Sequence, residues 1–243
     1  MLLQWKRIIC LTCLAVLYAD ACFAAGEDRL VTTAQMKDGE AVPYVLNALN
    51  DMPRYVMILF PGSTGIMDPH MEGDQVVYRE RTNFLIRSRP YLIDEEFATV
   101  ATNATSSEER IQAVIDDIKN RFPQAKIYLM GTSRGTGDTI ALAGYLSDKI
   151  AGEIHTSSLQ RINGLDPTKY QNRQLIVHHR NDGCRATPYA AAQWSHEHYG
   201  TDFIPVEGGS SVSDPCEALS YHGYYGIEKE TMASIKQWVK QGG

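Results

Sequence analysis

Ile127-Tyr-Leu-Met-Gly131-Thr-Ser133-Arg-Gly135-Thr-Gly-Asp-Thr-Ile-Ala-Leu-Ala143 is the stretch whose reading decides the fold. An apolar run, Ile127 to Met130, leads into Gly-x-Ser-x-Gly, and Ile140 to Gly144 supply the small and apolar residues of a helix buried against a sheet. At such a strand-to-helix turn a nucleophile sits in a strained backbone conformation. Gly131 and Gly135 lack the Cβ atoms that would clash where the two elements meet. The turn lifts the Ser133 hydroxyl clear of the sheet and sets the Arg134 N–H at a helix start, where free amides and the helix dipole favour a developing negative charge. The competing reading is an ordinary turn with an incidental serine, because so short a motif also arises by chance.

Strand and helix signals alternate on both sides of this turn. Arg54 to Phe60 is near-continuously apolar, as a strand covered on both faces requires, and it breaks at Pro61-Gly62-Ser63-Thr64-Gly65. A long connection, Ser63 to Thr82, carries Met67 and Met71. Asn83 to Leu92 reads as a helix interrupted by Pro90, with Arg87 and Arg89 pointing in different directions, and Phe97 to Ala101 as a buried strand. Ile111, Val114, Ile115, Ile118 and Phe122 lie on one face of a helix that Ser106 and Glu109 would open as a capping box. Arg29 to Met36 and Ala41 to Leu49 are expected as an opening hairpin around Asp38-Gly39. Beyond the central turn, strands are expected over Ala151 to Ser158, Gln174 to His179 and Asp202 to Val206, and helices over Pro188 to Tyr199 and Ile227 to Val239. The order implies an α/β fold with a mainly parallel sheet, right-handed crossovers and helices on both faces.

The 243 residues suffice for one large α/β domain, and a net charge of −6 with no basic run after residue 7 argues against nucleic acid or an anionic membrane as partner. The first residues read as an export signal: Lys6 and Arg7, then the apolar run Ile8 to Ala19, then mostly small residues through Ala25. Cleavage is expected after Ala24 or Ala21, with a lipid-modified Cys22 as a minor alternative. Residues 1–24 are thus a leader and 25–243 a single domain, placed in the periplasm or outside the cell, with no stable membrane insertion once the leader is removed. If cleavage follows Ala24, Cys184 and Cys216 are the two cysteines left in the mature chain; an oxidising compartment points to one disulfide, with two unpaired buried thiols as the other possibility.

A serine nucleophile needs a base, and the base needs an orienting acid. Of seven histidines, His222 in Ser220-Tyr-His-Gly223 is best placed, between the last strand and the closing helix. His178 and His179 end a strand, so lining the site is one reading for them and packing the favoured one. Asp182 leaves the same strand in the turn Asn181-Asp182-Gly183 and is the candidate acid; it is also simply a good turn residue, and Asp214 and Glu217 stand in reserve.

The chain order Ser133, Asp182, His222 is that of the α/β-hydrolase superfamily, which the chain resembles from about Arg54 to its C-terminus. The resemblance rests on Phe60-Pro-Gly62-Ser63, the turn Gly131-Thr-Ser133-Arg-Gly135, the acid loop His179-Arg-Asn-Asp182-Gly-Cys184 and the histidine loop Cys216 to Tyr224. It looks most like exported bacterial hydrolases distantly related to dienelactone hydrolases, which carry cysteine where this chain has Ser133. What it implies is acyl transfer through Ser133, His222 and Asp182, with an oxyanion hole from the backbone amides of Arg134 and Ser63; Gly62 and Thr64 are alternatives for the second donor. A Cys184–Cys216 disulfide would then tie the acid loop to the histidine loop. The Arg134 side chain is expected to contact an anionic substrate, pair with a carboxylate or face solvent.

Ser158 to Leu175 is about seventeen residues, too few for a large helical cap at usual helix lengths. An open site results, covered if at all by the Ser63 to Thr82 loop with its methionines. The expected activity is cleavage of a carboxylic ester, the substrate a small-molecule or short-chain ester. A serine peptidase or thioesterase on the same residues, and a binding module on a hydrolase fold with a dead site, are the rivals. No cofactor and no metal is indicated, since His196-Glu-His198 lacks the spacing of a metal-binding helix.

Overall fold

Buried apolar strands must pair their backbone amides and carbonyls, and parallel pairing with helical crossovers lets each strand do so while both faces stay covered. The computed structural model describes residues 27–242. Its elements in chain order are β1 (Arg29–Val31), β2 (Tyr44–Asn47), β3 (Tyr55–Phe60), β4 (His70–Glu72), β5 (Gln75–Val77), α1 (Phe84–Arg87), α2 (Arg89–Leu92), β6 (Phe97–Ala101), α3 (Glu108–Arg121), β7 (Lys126–Thr132), α4 (Gly135–Leu146), β8 (Gly152–Thr156), β9 (Arg173–His179), α5 (Tyr189–Tyr199), β10 (Asp202–Val206) and α6 (Glu228–Gln241). Among the described residues eight strands form one sheet in the order β1-β2-β6-β3-β7-β8-β9-β10. β1 and β2 pair antiparallel, as do β2 and β6; the pairings from β6 through β10 are parallel. β7 lies between β3 and β8, with Gly131 opposite both Phe60 and His155. The carboxyl ends of these three strands therefore meet on one edge, where open parallel sheets gather their ligands.

Alternation along β3 divides the core. Val56, Ile58 and Phe60 pack with Ile111, Val114, Ile115 and Ile118 of α3 and Leu142 and Leu146 of α4. Tyr55, Met57 and Leu59 face the other way, toward Phe84 and Leu85 of α1, Leu92 of α2, and Met232, Ile235 and Trp238 of α6. A third cluster sets Ala191 and Ala192 of α5 against Ile176 of β9. The fold is that of an α/β hydrolase, with helices on both faces.

Several local expectations are corrected. The opening hairpin turns at Asp38-Gly39, where Gly39 has φ 88°, but between β1 and β2 and that turn only the bridge Gln35–Ala41 is paired. The Ser63 to Thr82 connection folds back as the hairpin β4–β5, and Met67 is fully buried in the core rather than lying over the site. Pro90 divides the Asn83 to Leu92 helix into α1 and α2 at Ser88. Ser107, not Ser106, caps α3 by accepting the Arg110 amide at 3.3 Å, and the Glu109 carboxylate accepts the Lys37 amide at 3.0 Å instead of closing a capping box. Arg87 and Arg89 do diverge, Arg87 to Glu228 of α6 and Arg89 to Asp28 beside β1. Between β8 and β9 the chain makes two 3₁₀ turns, Gln160–Gly164 and Pro167–Lys169, with no cap domain. The expected leader, residues 1–24, lies outside the described residues.

A polar cluster is buried between β8, β9 and α4. Asn172 Nδ2 and Gln174 Nε2 approach Glu153 Oε1 at 3.3 and 3.4 Å, while His155 bridges Gln174 Oε1 at 3.0 Å and Thr139 Oγ1 at 2.8 Å. Glu153 Oε2 has no partner among the described residues. Burial pushes Glu153 up to about 7, outweighing its two amide bonds, and pushes His155 down to about 4. Because the folded value of Glu153 lies above its ordinary value of 4.5, the native state holds the extra proton between the two, and stability falls as pH rises through that window. Glu153→Gln is expected to be more stable than the parent by roughly 3 kcal/mol at pH 8 and nearly equal to it around pH 4.5, as urea titrations at the two pH values would read.

Candidate active site

β7 ends at Thr132 and α4 begins at Gly135, so the chain reverses within two residues. Ser133 takes φ 50°, in the left-handed region that residues with a Cβ rarely occupy. Its amide donates to Thr156 O at 3.0 Å, and its carbonyl accepts from the Thr136 amide at 2.9 Å and the Thr136 hydroxyl at 2.6 Å. A Cβ on Gly135 would stand 2.5 Å from Phe60 O, and one on Gly131 would stand 2.8 Å from Gly135 O, so strand and helix approach as closely as the motif requires.

The loop after β3 closes one side of the serine. A Cβ on Gly62 would lie 2.9 Å from Ser133 Cβ, and the next residue, Ser63, has φ 55°. Neither the Ser63 nor the Arg134 amide has an acceptor among the described residues, and both residues line the cleft at Ser133. Arg134 is exposed, as its solvent-facing alternative has it, and its guanidinium also donates to Thr64 O at 2.8 Å, bracing the serine turn against the loop after β3.

Asp182 follows β9 in a turn closed by its own amide on His179 O at 3.0 Å. Its Oδ2 lies 2.9 Å from His222 Nδ1, which sits in a 3₁₀ turn, Tyr221–Gly223, before α6. The two side chains are buried, 0% and 7% exposed. Asp182 also takes Thr187 Oγ1 at 3.1 Å and His178 Nε2 at 3.1 Å on Oδ2, and the Cys184 amide at 2.9 Å on Oδ1. Burial alone would raise its pKa; the bonds from His178 and His222, the His222 charge and the Cys184 amide outweigh that and hold the carboxyl well below the usual carboxylate range. With an anion on Nδ1, that nitrogen of His222 carries the proton and Nε2 keeps its lone pair.

The histidine loop is pinned from beneath. Ser157, with φ 43° at the end of β8, donates its hydroxyl to His222 O at 2.6 Å. The Ser157 amide donates to Tyr224 OH at 2.9 Å, and that hydroxyl donates to Val177 O at 2.8 Å. Cys184 and Cys216 form a disulfide, their Cα atoms 4.6 Å apart, so the acid and histidine loops are covalently joined. Ser63, Ser133, Arg134, His222 and both cysteines border one open cleft of about 320 Å³, with Asp182 behind it. Two larger hollows, of about 740 and 620 Å³, are lined by none of Ser133, Asp182 and His222.

The remaining histidines have other partners: His179 bonds Gly208 O, His196 bonds Thr201 O, and His198 stacks on Trp194. Among the described residues no group of three or more His, Cys, Asp or Glu side chains is placed to share a metal ion. His178, Thr187, Ser157 and Tyr224 went unassigned in the sequence. His178 alone carried a signal, as a strand-end histidine four residues before the acid; the other three become visible only when the strand ends are brought together.

No protein-family model matches the chain, and no curated protein matches it. Solved structures do. An α/β serine hydrolase without lid from Xanthomonas campestris aligns at 11% identity and TM-score 0.56, over 87% of this chain and 95% of that one. Est1E from Butyrivibrio proteoclasticus aligns at 17% identity and TM-score 0.61, over 90% and 99%. The esterase domain of a Rhodothermus marinus protein aligns at 11% and 0.59, over 87% and 99%. At these identities the likeness establishes the α/β-hydrolase fold.

Because the disulfide joins the two loops that hold Asp182 and His222 together, Cys184→Ser is expected to lower the melting temperature, by an amount corresponding to roughly 2–5 kcal/mol. The rate at which a fluorophosphonate labels Ser133 is expected to fall with it. Melting and labelling that are both unchanged under reducing conditions would contradict this.

Proposed function

We propose that the protein is a serine hydrolase that cleaves a small or short-chain carboxylic ester, with Ser133 as nucleophile, His222 as base and Asp182 as orienting acid. The observation that carries this reading is the buried 2.9 Å contact between Asp182 and His222 beside a cleft that Ser133 enters from a left-handed turn. His222 Nε2 takes the Ser133 proton as Oγ attacks the ester carbonyl, and Asp182 steadies the imidazolium that results. The same proton goes to the leaving alcohol. Water, deprotonated by His222, then releases the acid from the serine. The oxyanion is received by the Ser63 and Arg134 amides, which have no other acceptor among the described residues, and one such donor contributes about 3 kcal/mol to the transition state.

The open cleft and the short connection between β8 and β9 support a small substrate, and the esterases among the structural neighbours support an ester. Residues 1–24 act as an export leader ahead of a single domain, 25–243. The disulfide supports this reading, since such bonds persist in oxidising compartments, and no described helix is long and apolar enough to cross a membrane.

Hydrolysis of p-nitrophenyl esters from acetyl to palmitoyl should show the mature protein active on the short members. Ser133→Ala is expected to lose at least ~10³-fold of the rate. Activity should fall toward acid pH, because a protonated imidazole cannot act as a base. Ester hydrolysis that survives Ser133→Ala would overturn the reading.

A further inference from the structure

Of the two imidazoles bonded to Asp182, His178 is the one the acyl-transfer scheme does not use. It lies on β9, its side chain is fully buried, and its Nε2 approaches two oxygens, Asp182 Oδ2 at 3.1 Å and Thr187 O at 3.0 Å. Both are acceptors, so Nε2 carries the hydrogen and donates to the carboxylate from a side that His222 does not occupy. The other nitrogen, Nδ1, is buried without a partner among the described residues. An orphaned buried nitrogen lowers stability, and an apolar ring would fill the space against Tyr189, whose ring stands edge-on at 5.9 Å, without leaving one. Packing therefore does not account for a histidine here. Its two acceptors do, Thr187 O and the Asp182 carboxylate, and of these the carboxylate belongs to the site.

Resting on the reading of Asp182 and His222 given above, we infer that His178 is a positioning residue, a second imidazole that fixes the rotation of the Asp182 carboxylate so that Oδ2 faces His222 Nδ1. A carboxylate with one donor can turn about its Cβ–Cγ bond. Asp182 is held from His222 and Thr187 on Oδ2 and from the Cys184 amide on Oδ1, and His178 adds the donor that comes from the sheet itself. β9 is paired on both sides, to β8 and β10, so this bond refers the acid's orientation to the sheet rather than to the acid and histidine loops. The titratable groups acting on Asp182 are His178 and His222, and Tyr224 is the further one that feels its charge.

The test uses the rate at which Ser133 reacts with a fluorophosphonate between about pH 5 and 9, which needs no knowledge of the substrate, together with the NMR titration of the His222 imidazole. His178→Phe keeps a ring and removes the donor; His178→Gln keeps an N–H within reach; His178→Asn is the fallback if the phenylalanine variant does not fold. In the folded Phe or Asn variant, labelling is expected to slow on the order of ten- to a hundredfold, as for loss of a hydrogen bond to a charged group. The acid limb and the His222 titration curve should both be displaced, because the counter-charge that faces the imidazole has changed. His178→Gln should recover most of the rate and of the shift. A role in stability alone would lower the melting temperature and leave both pH curves in place, and that result overturns the inference. If wild-type Ser133 is labelled no faster than the Ser133→Ala background, the acyl-transfer reading fails instead. The His222 titration then decides the role of His178 by itself, an unshifted curve counting against it.

Discussion

A carboxylate taken fully out of water must be repaid in hydrogen bonds, and the architecture of this site follows from how Asp182 meets that demand. Four donors reach its two oxygens: Cys184 and Thr187 from the loop that carries it, His178 from the strand before it, and His222 from forty residues further on. Removing any one leaves the charge in a low-dielectric surrounding with less compensation, and breaking such an arrangement is far more damaging than its net stabilisation implies. The acid loop cannot wander, because its own anion holds it. The histidine loop is recruited to the same anion, and the Cys184–Cys216 disulfide and the Ser157–Tyr224–Val177 bonds keep it there.

The serine side of the cleft is governed by backbone strain. Ser63, Ser133 and Ser157 follow the carboxyl ends of three adjacent strands, β3, β7 and β8, and all three have φ between 43° and 55°. A non-glycine residue in that conformation costs on the order of 1–3 kcal/mol and persists only where its surroundings hold it. Here the surroundings are hydrogen bonds between the ends themselves: Ser133 to Thr156, Ser157 to Val177 and to the histidine loop. Each sharp turn presents a polar group at the strand ends: at Ser63 an amide without an acceptor among the described residues, at Ser133 the hydroxyl proposed as nucleophile, and at Ser157 a buried hydroxyl that anchors His222 O.

The fold was legible in the sequence where burial on both faces forces a continuous apolar run, as in Tyr55 to Phe60 and Phe97 to Ala101. The turn at Ser133 was legible too, because close approach of helix and strand admits only glycine at positions 131 and 135. What escaped was geometry set by tertiary contact. Ser106 read as the cap because Glu109 stands three residues on, yet the Lys37 amide claims Glu109 and Ser107 caps the helix instead. Met67 read as a loop methionine that could cover the cleft, yet the β4–β5 hairpin turns it into the core. In the site, Ser133, Asp182 and His222 could be chosen by residue type and chain order. His178 could not, since a strand-end histidine has the same appearance whether it packs or donates. Thr187 and Tyr224 carry no local pattern and acquire meaning only from neighbours distant in sequence.

The sheet ends at β10, whose outer side no described strand pairs. Such a border offers a row of amides and carbonyls to any passing strand, including that of a second copy of the chain. Pro205 lies within β10, opposite His178, and together with Asp202 it is exposed. A proline has no N–H to offer, and a charged residue at the border resists being covered. Growth of the sheet from one molecule into the next is thereby discouraged at the strand that neighbours the one carrying His178 and leading into Asp182, so the segment that orients the acid stays inside a single molecule.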